Sequence, residues 1–261
     1  MKIRGILATA ALLLTVMPVL AEPDPKQADS SGTNPINFTY DFRIYTELQE
    51  FSADGDNGGG LLTFEYRFPI GYKWQFRTRL RGVSRSFDPD GDGSSDTTTG
   101  VGDFDFRLLT VPYASKKIAV ATGLEVFADT ASSPALGEGK TSLGPQAFLV
   151  WFAPGGMKNT LFAPAWQYVF DVAGDDDRPD VDRHQFDFFW LWLAENKKHW
   201  FLIDPQVVID NENDKEFGQI EFEFGQMMFG PMSSYIRPGV GVGADRPLDW
   251  NVELGFKVVW R

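Results

Sequence analysis

Residues 62–81 read Leu62-Thr63-Phe64-Glu65-Tyr66-Arg67-Phe68-Pro69-Ile70-Gly71-Tyr72-Lys73-Trp74-Gln75-Phe76-Arg77-Thr78-Arg79-Leu80-Arg81. Large apolar side chains hold the even positions, with Thr78 the exception. Thr63, Glu65 and Arg67, then Lys73, Gln75, Arg77, Arg79 and Arg81, hold the odd ones. A buried helix face repeats near every 3.6 residues; a period of two marks strands with one apolar and one polar face. Pro69-Ile70-Gly71 interrupts the run, so the stretch predicts two antiparallel strands and a tight turn.

The same alternation extends in both directions. Ile36, Phe38, Tyr40, Phe42, Ile44 and Leu48 oppose Asn37, Asp41, Arg43, Glu47 and Gln49. In all, twelve strand segments are expected, near 36–50, 61–69, 72–83, 99–111, 117–129, 141–152, 160–173, 181–194, 199–210, 216–228, 233–243 and 249–260. The sixth and ninth are ambiguous: Leu149 and Trp151 compete with Phe148 and Val150, and Phe201 and Ile203 precede Pro205. Tight connections alternate with longer ones around 52–60, 84–98, 130–140, 173–180, 211–215 and 244–248. An even number of strands of about ten residues, with turns short on one side and loops long on the other, is the pattern of an outer-membrane barrel. The fold class expected is all-β, a transmembrane antiparallel β-barrel of about twelve strands.

Composition agrees. The 261 residues include 23 Phe, 8 Trp and 7 Tyr, yet the hydrophobic total is only 43%. That combination suits an average over two surfaces, rings facing lipid and charges facing water. Mean hydropathy is −0.21, which excludes a bundle of membrane helices. With no cysteine, disulfide and thiolate chemistry are excluded, and a net charge of −12 argues against nucleic acid. Trp74, Trp151, Trp190, Trp192, Trp200 and Trp260 lie beside tight turns, as expected of an aromatic girdle at one membrane rim; Trp250 lies near the other.

Met1 to Ala21 carries Lys2 and Arg4 ahead of an apolar run and ends in Val19-Leu20-Ala21, the form of a secretory signal. The polar, Pro-rich residues 22–35 are expected to be a periplasmic tail, and 36–261 the barrel. Both termini would then be periplasmic and the long loops outside. Glu253 to Trp260 resembles the terminal signal read by barrel-assembly machinery. Outer-membrane lipid, lipopolysaccharide and that machinery are the partners expected at this location, the cell outer membrane.

Three stretches carry a family resemblance: Gly100-Val101-Gly102-Asp103-Phe104-Asp105-Phe106-Arg107, Ser142-Leu143-Gly144-Pro145-Gln146, and Tyr235 to Gly243 with Asp249-Trp250-Asn251. They resemble the outer-membrane barrel family labelled for the MetA pathway of phenol degradation, or simply as transporters, over about Phe38 to Trp260. The chain departs from it at Ala128-Asp129-Thr130, where the family tends to carry a Pro-Thr-Gly turn. The resemblance implies a barrel that passes small molecules, aromatic ones among them.

If the apolar faces meet lipid, the polar ones line a lumen. Lys73, Arg77, Arg79, Arg81, Asp103, Asp105 and Arg107 are the candidate lumen-lining, selectivity-setting residues. A symmetric register places Arg79 near Asp103, Arg77 near Asp105 and Arg107 opposite Gln75. The same charges could instead tie strands together and fill a non-transporting structural or surface-interaction barrel. Asp88, Asp90, Asp92, Ser94 and Asp96 space oxygens as the opening of a calcium loop does, but Thr99 stands where a bidentate Glu should. Ca²⁺ is the one cofactor they suggest, against an ordinary solvated turn. A lipid hydrolase would need a Ser–His pair facing the membrane. His184 has the outward phase but no accompanying serine pattern, and His199 sits in a tight turn, so no catalytic residue is assigned.

Overall fold

The computed structural model describes residues 31–52, 57–71, 73–87 and 96–260. In chain order the strands are β1 (Tyr40–Phe51), β2 (Gly58–Ile70), β3 (Trp74–Phe87), β4 (Asp96–Val101), β5 (Phe104–Ala114), β6 (Ile118–Ala128) and β7 (Lys140–Phe152). They continue as β8 (Thr160–Gly174), β9 (Asp182–Leu193), β10 (His199–Asp210), β11 (Lys215–Met227), β12 (Met232–Val242) and β13 (Leu248–Trp260). All neighbours are antiparallel, and β1 pairs with both β2 and β13, so the sheet closes on itself. Both β4 and β5 pair with β3 and together form one stave. The result is a closed barrel of twelve staves; among the described residues only β4, at the long-loop end, has a strand on one side alone.

Alternation decides what each face meets. Phe64 pairs with Ile44 and Leu80 on the outside; the next residue, Glu65, pairs with Arg43 and Arg79 on the inside. Outward Phe64 and Leu80 are 40% and 48% exposed, whereas inward Glu65 and Arg77 are 3% and 6%. Outward rings pack across strands, Tyr40 on Trp260 at 5.9 Å, Phe68 on Phe76 at 5.2 Å and Trp192 on Phe201 at 5.4 Å between centroids. Such pairs add to sheet stability beyond the area they bury.

Trp200 is a correction to the expected girdle. It is 4% exposed and points into the barrel, where its indole N–H donates to Glu223 at 2.6 Å. Inward phase and position beside a turn conflict at this residue, and the phase wins. Its ring covers Gly225, and that of Tyr235 covers Gly255; a Cβ on either glycine would overlap the ring above it.

An apolar cluster inside the short-turn end explains the two ambiguous segments. It joins Ala119, Ala121, Val150, Leu161, Leu191, Trp200 and Leu202, with Phe148 packed against it. Both faces of β7 and β10 are therefore apolar there: Leu149 and Trp151 outside, Val150 within.

The first strand starts at Tyr40, not near 36, because the chain before it turns into the lumen. At the Asn34-Pro35 turn, the Asn34 side-chain oxygen accepts from the Ile36 N–H at 3.2 Å and its carbonyl from the Asn37 N–H at 3.1 Å. Ile36 joins the apolar cluster, and the Gly32 carbonyl accepts from Arg43 of the barrel wall at 2.5 Å. Residues 31–39 thus lie inside the short-turn end. The expected export signal, residues 22–30 of the expected tail, and Asp88, Asp90, Asp92 and Ser94 lie outside the described residues; Asp96 opens β4.

Candidate functional site

The lumen carries two walls of unlike charge. On one, β1, β2, β3, β5 and β6 bring together Arg43, Arg67, Arg77, Arg79, Arg81 and Arg107 with Asp41, Glu65, Asp105 and Glu125. Arg79 donates to Asp105 and to Glu125, each at 2.9 Å, Arg77 bonds Glu125, and Arg81 bonds Asp105. Arg43 and Arg67 share Asp41 and Glu65. Gln146 and Gln167 donate to the second oxygen of Glu125 at 3.3 and 3.1 Å. Interleaving of this kind satisfies buried charges that would otherwise be costly.

The register differs from the symmetric one. Arg79 pairs with Asp105, Arg77 with Arg107 and Gln75 with Leu109. Nearer the long loops Gly82 pairs with Val101, so three residues along β3 match four on the partner stave. That extra residue is a bulge at Gly102-Asp103, and it releases Asp103 from the wall. Lys73 lies in the turn before β3, at the short-turn rim.

On the opposite wall β9 to β13 carry Asp187, Asp204, Glu221, Glu223 and Glu253 against Arg237 and Lys257. Arg237 bridges Asp204 and Glu221, each at 2.6 Å. Asn251 donates to Glu221 at 2.9 Å and to Glu47 at 3.0 Å. Lys257 is fully buried, 2.9 Å from Glu223, with the Tyr235 ring centroid 4.3 Å away. Arg237, Glu125 and Asp204 are not among the candidates the sequence pattern singles out, although each has the inward parity of its strand. Parity was the available signal.

Asp103 organises the long-loop mouth. Its carboxylate accepts from the backbone N–H of Thr130 and Ala131, each at 3.0 Å, and of Glu138 at 2.8 Å. Arg178 donates to the carbonyls of Pro134, Gly137 and Glu138, and Arg85 to that of Ala135. Leu136 tucks inward, 3% exposed. The 129–139 segment is thereby folded over a vestibule of about 580 Å³. Asp103→Ala should free it, since each bond to the carboxylate is worth about 1.5–3 kcal/mol. Limited proteolysis of the folded barrel should then cut within 129–139; resistance equal to wild type would show that the arginines suffice.

Between mouth and apolar cluster lies a second cavity of about 200 Å³, bordered by Arg77, Arg107, Asp187, Phe148, and Thr33 and Pro35 of the inserted segment. Outside the lumen, His184 stacks on Tyr168 at 4.7 Å and accepts from the Trp166 indole N–H at 3.2 Å. No serine bonds it among the described residues, and His199 is exposed at the start of β10.

A closed barrel, apolar outside and charged within, is the architecture by which strands cross an outer membrane, because every backbone group is paired. Solved structures of that kind resemble this one. An outer membrane channel from Pseudomonas putida F1 matches with TM-score 0.67 at 11% identity, over 92% of this chain and all of that one (100%). The NanC porin matches at 0.56 with 14% identity over 84% and 98%, and the KdgM porin at 0.51 with 8% over 85% and 99%. At such identities the likeness is one of fold. No protein-family model matches the sequence, and no curated protein does.

Proposed function

We propose that the chain is a passive channel of the outer membrane, exported by its N-terminal signal, that admits small solutes by diffusion through the lumen. One observation carries this reading: polar and charged residues line a vestibule and a central cavity inside a barrel whose outer face is apolar. The similarity to the Pseudomonas channel and the two porins supports it. Lys73, Arg77, Arg79, Arg81, Asp105 and Arg107 shape the field a solute meets, while Asp103 acts through the loop it holds. The aromatic character of the solute rests on the family resemblance alone. Lipid, lipopolysaccharide and the barrel-assembly machinery are the partners this location supplies, and the 88–96 loop is a candidate Ca²⁺ ligand set.

Recordings in planar bilayers test the reading. Wild-type protein should conduct, and Arg77→Gln with Arg79→Gln should shift ion selectivity toward cations, because rings of charge set the field of a narrow pore. Absence of conductance, or an unchanged selectivity, would overturn it. A rival reading, a barrel without transport, draws on the inserted 31–39 segment and the apolar cluster beside it. It predicts no current even when that segment is removed.

A further inference from the structure

Arg107 stands apart from the other lumenal arginines. Arg43, Arg67, Arg77, Arg79, Arg81 and Arg237 each lie within 4.0 Å of at least one carboxylate. Among the described residues Arg107 has neither an ion pair nor a hydrogen bond. Its Nε is buried without a partner, and its guanidinium carbon lies 6.0 Å from the centroid of the Phe148 ring. Cross-strand, it stands between Arg77 on β3 and Glu125 on β6, but the Glu125 carboxylate is turned to Arg77 and Arg79 and forms no ion pair with it. Six guanidiniums on this wall meet four carboxylates, so positive charge is left over.

Across the same cavity the imbalance has the opposite sign. Asp187 accepts one amide bond, from Gln185 at 3.1 Å, and no cation lies within 4.0 Å of it among the described residues. Glu47 and Glu253 also lack cations, but the amide of Asn251 and the Tyr235 hydroxyl serve them, and neither borders the cavity. Phe148, Phe189, Ala163 and Pro35 supply the apolar part of the lining. The cavity holds about 200 Å³; an apolar cavity of about 150 Å³ accommodates a benzene ring.

We infer that this cavity binds a small zwitterion with an apolar body, its carboxylate on Arg107, its ammonium at Asp187, and its side chain against Phe148 and Phe189. A simple anion would satisfy Arg107 and leave Asp187 facing a second negative charge; a simple cation would do the reverse. Only a solute carrying both charges answers both walls, and a planar guanidinium fork suits a carboxylate in particular. The inference rests on the channel reading for the route by which the solute arrives.

Calorimetric titration of the full-length barrel in detergent, with three probes sharing one ring and chain, tests it. The probes are L-phenylalanine (zwitterion), 3-phenylpropionate (anion) and 2-phenylethylamine (cation), with L-leucine as a smaller zwitterion. Phenylalanine or leucine should bind at least about tenfold more tightly than either singly charged probe, a difference of about 1.4 kcal/mol. Arg107→Gln should abolish the advantage over phenylethylamine, and Asp187→Asn the advantage over phenylpropionate. Neither residue holds an ion partner in the lumen, so both variants should keep heat-modifiable migration on gels. The wild-type comparison stands even if one does not fold. Phenylpropionate binding as tightly as phenylalanine, no binding of either zwitterion, or folded variants with unchanged affinities would each overturn the site. Conductance separates this from the channel reading: a conducting barrel without zwitterion preference overturns the site alone, whereas binding without conductance overturns the channel and leaves the site.

Discussion

Deletion of residues 31–38 is expected to raise single-channel conductance several-fold. These residues enter the barrel from the short-turn end, where Ser31 and Asn34 are buried, Gly32 is held by Arg43, and Ile36 packs into the apolar cluster. Thr33 and Pro35 reach as far as the central cavity. None of them belongs to the wall: the ladder that closes the barrel begins with Tyr40 opposite Trp260. Removing the segment therefore takes material out of the solute path while the pairing of β1 with β13 and β2 remains. The loss of Ile36 from the cluster costs about 2–5 kcal/mol if the site behaves as other buried aliphatic positions do. That loss is spread over a closed sheet, so the barrel should still migrate as a folded species in unboiled samples. Planar-bilayer recording of the deletion variant beside wild type decides the matter. Equal conductance would mean that ions bypass the segment or that the cluster of Val150, Leu161, Leu191 and Leu202 bars the way by itself.

The barrel was legible because its signal repeats every second residue and a slip of one would turn each charged face toward lipid. Residues 62–81 alone place Glu65, Arg67, Arg77, Arg79 and Arg81 on one side, and every one of them is found inside. Parity names the face but not the partner. Asp103 has the parity of Asp105 and reads as its equal, yet one bulged residue hands it to the backbone of a loop 27 to 35 residues downstream. Arg77 and Arg107 likewise look alike in sequence; Glu125 stands opposite Arg107 in the ladder, yet its carboxylate bonds Arg77 and Arg79 one strand further on. The turn beside Trp200 suggests the rim, although its alternation with Phe201 points it inward. The stretch before Ile36 is polar and Pro-rich, the composition of a chain that cannot bury a core of its own. Its described end, residues 31–35, needs none, because the walls offer Arg43 and an apolar cluster ready-made. The ion pairs, the loop held by Asp103 and the inserted segment each depend on partners far along the chain, whereas the direction of Trp200 is already given by its own parity.

Lys257→Met should be the most destabilising single change in the lumen, by about 3–5 kcal/mol, because it removes one member of a buried ion pair and strands the other. The ammonium is wholly buried and lies 2.9 Å from Glu223, with the ring centroids of Tyr235 and Trp200 at 4.3 and 5.1 Å. Glu223 is 2% exposed and also accepts the Trp200 indole N–H at 2.6 Å. Without Lys257 its remaining cation is Arg237 at 3.9 Å, already engaged by Asp204 and Glu221. Methionine fills much of the lysine's volume, so the cost is electrostatic rather than a matter of packing. The double variant Lys257→Met with Glu223→Gln should recover most of the loss, since a neutral amide oxygen still accepts from Trp200 and no charge is left alone. Urea unfolding of the refolded barrel, followed by tryptophan fluorescence, measures both. A single variant as stable as wild type, or a double variant no better than the single, would show that water in the lumen solvates Glu223 and that the pair contributes little. A recovery would identify β11 and β13 as joined through their inward charges as firmly as other staves are through their outward rings.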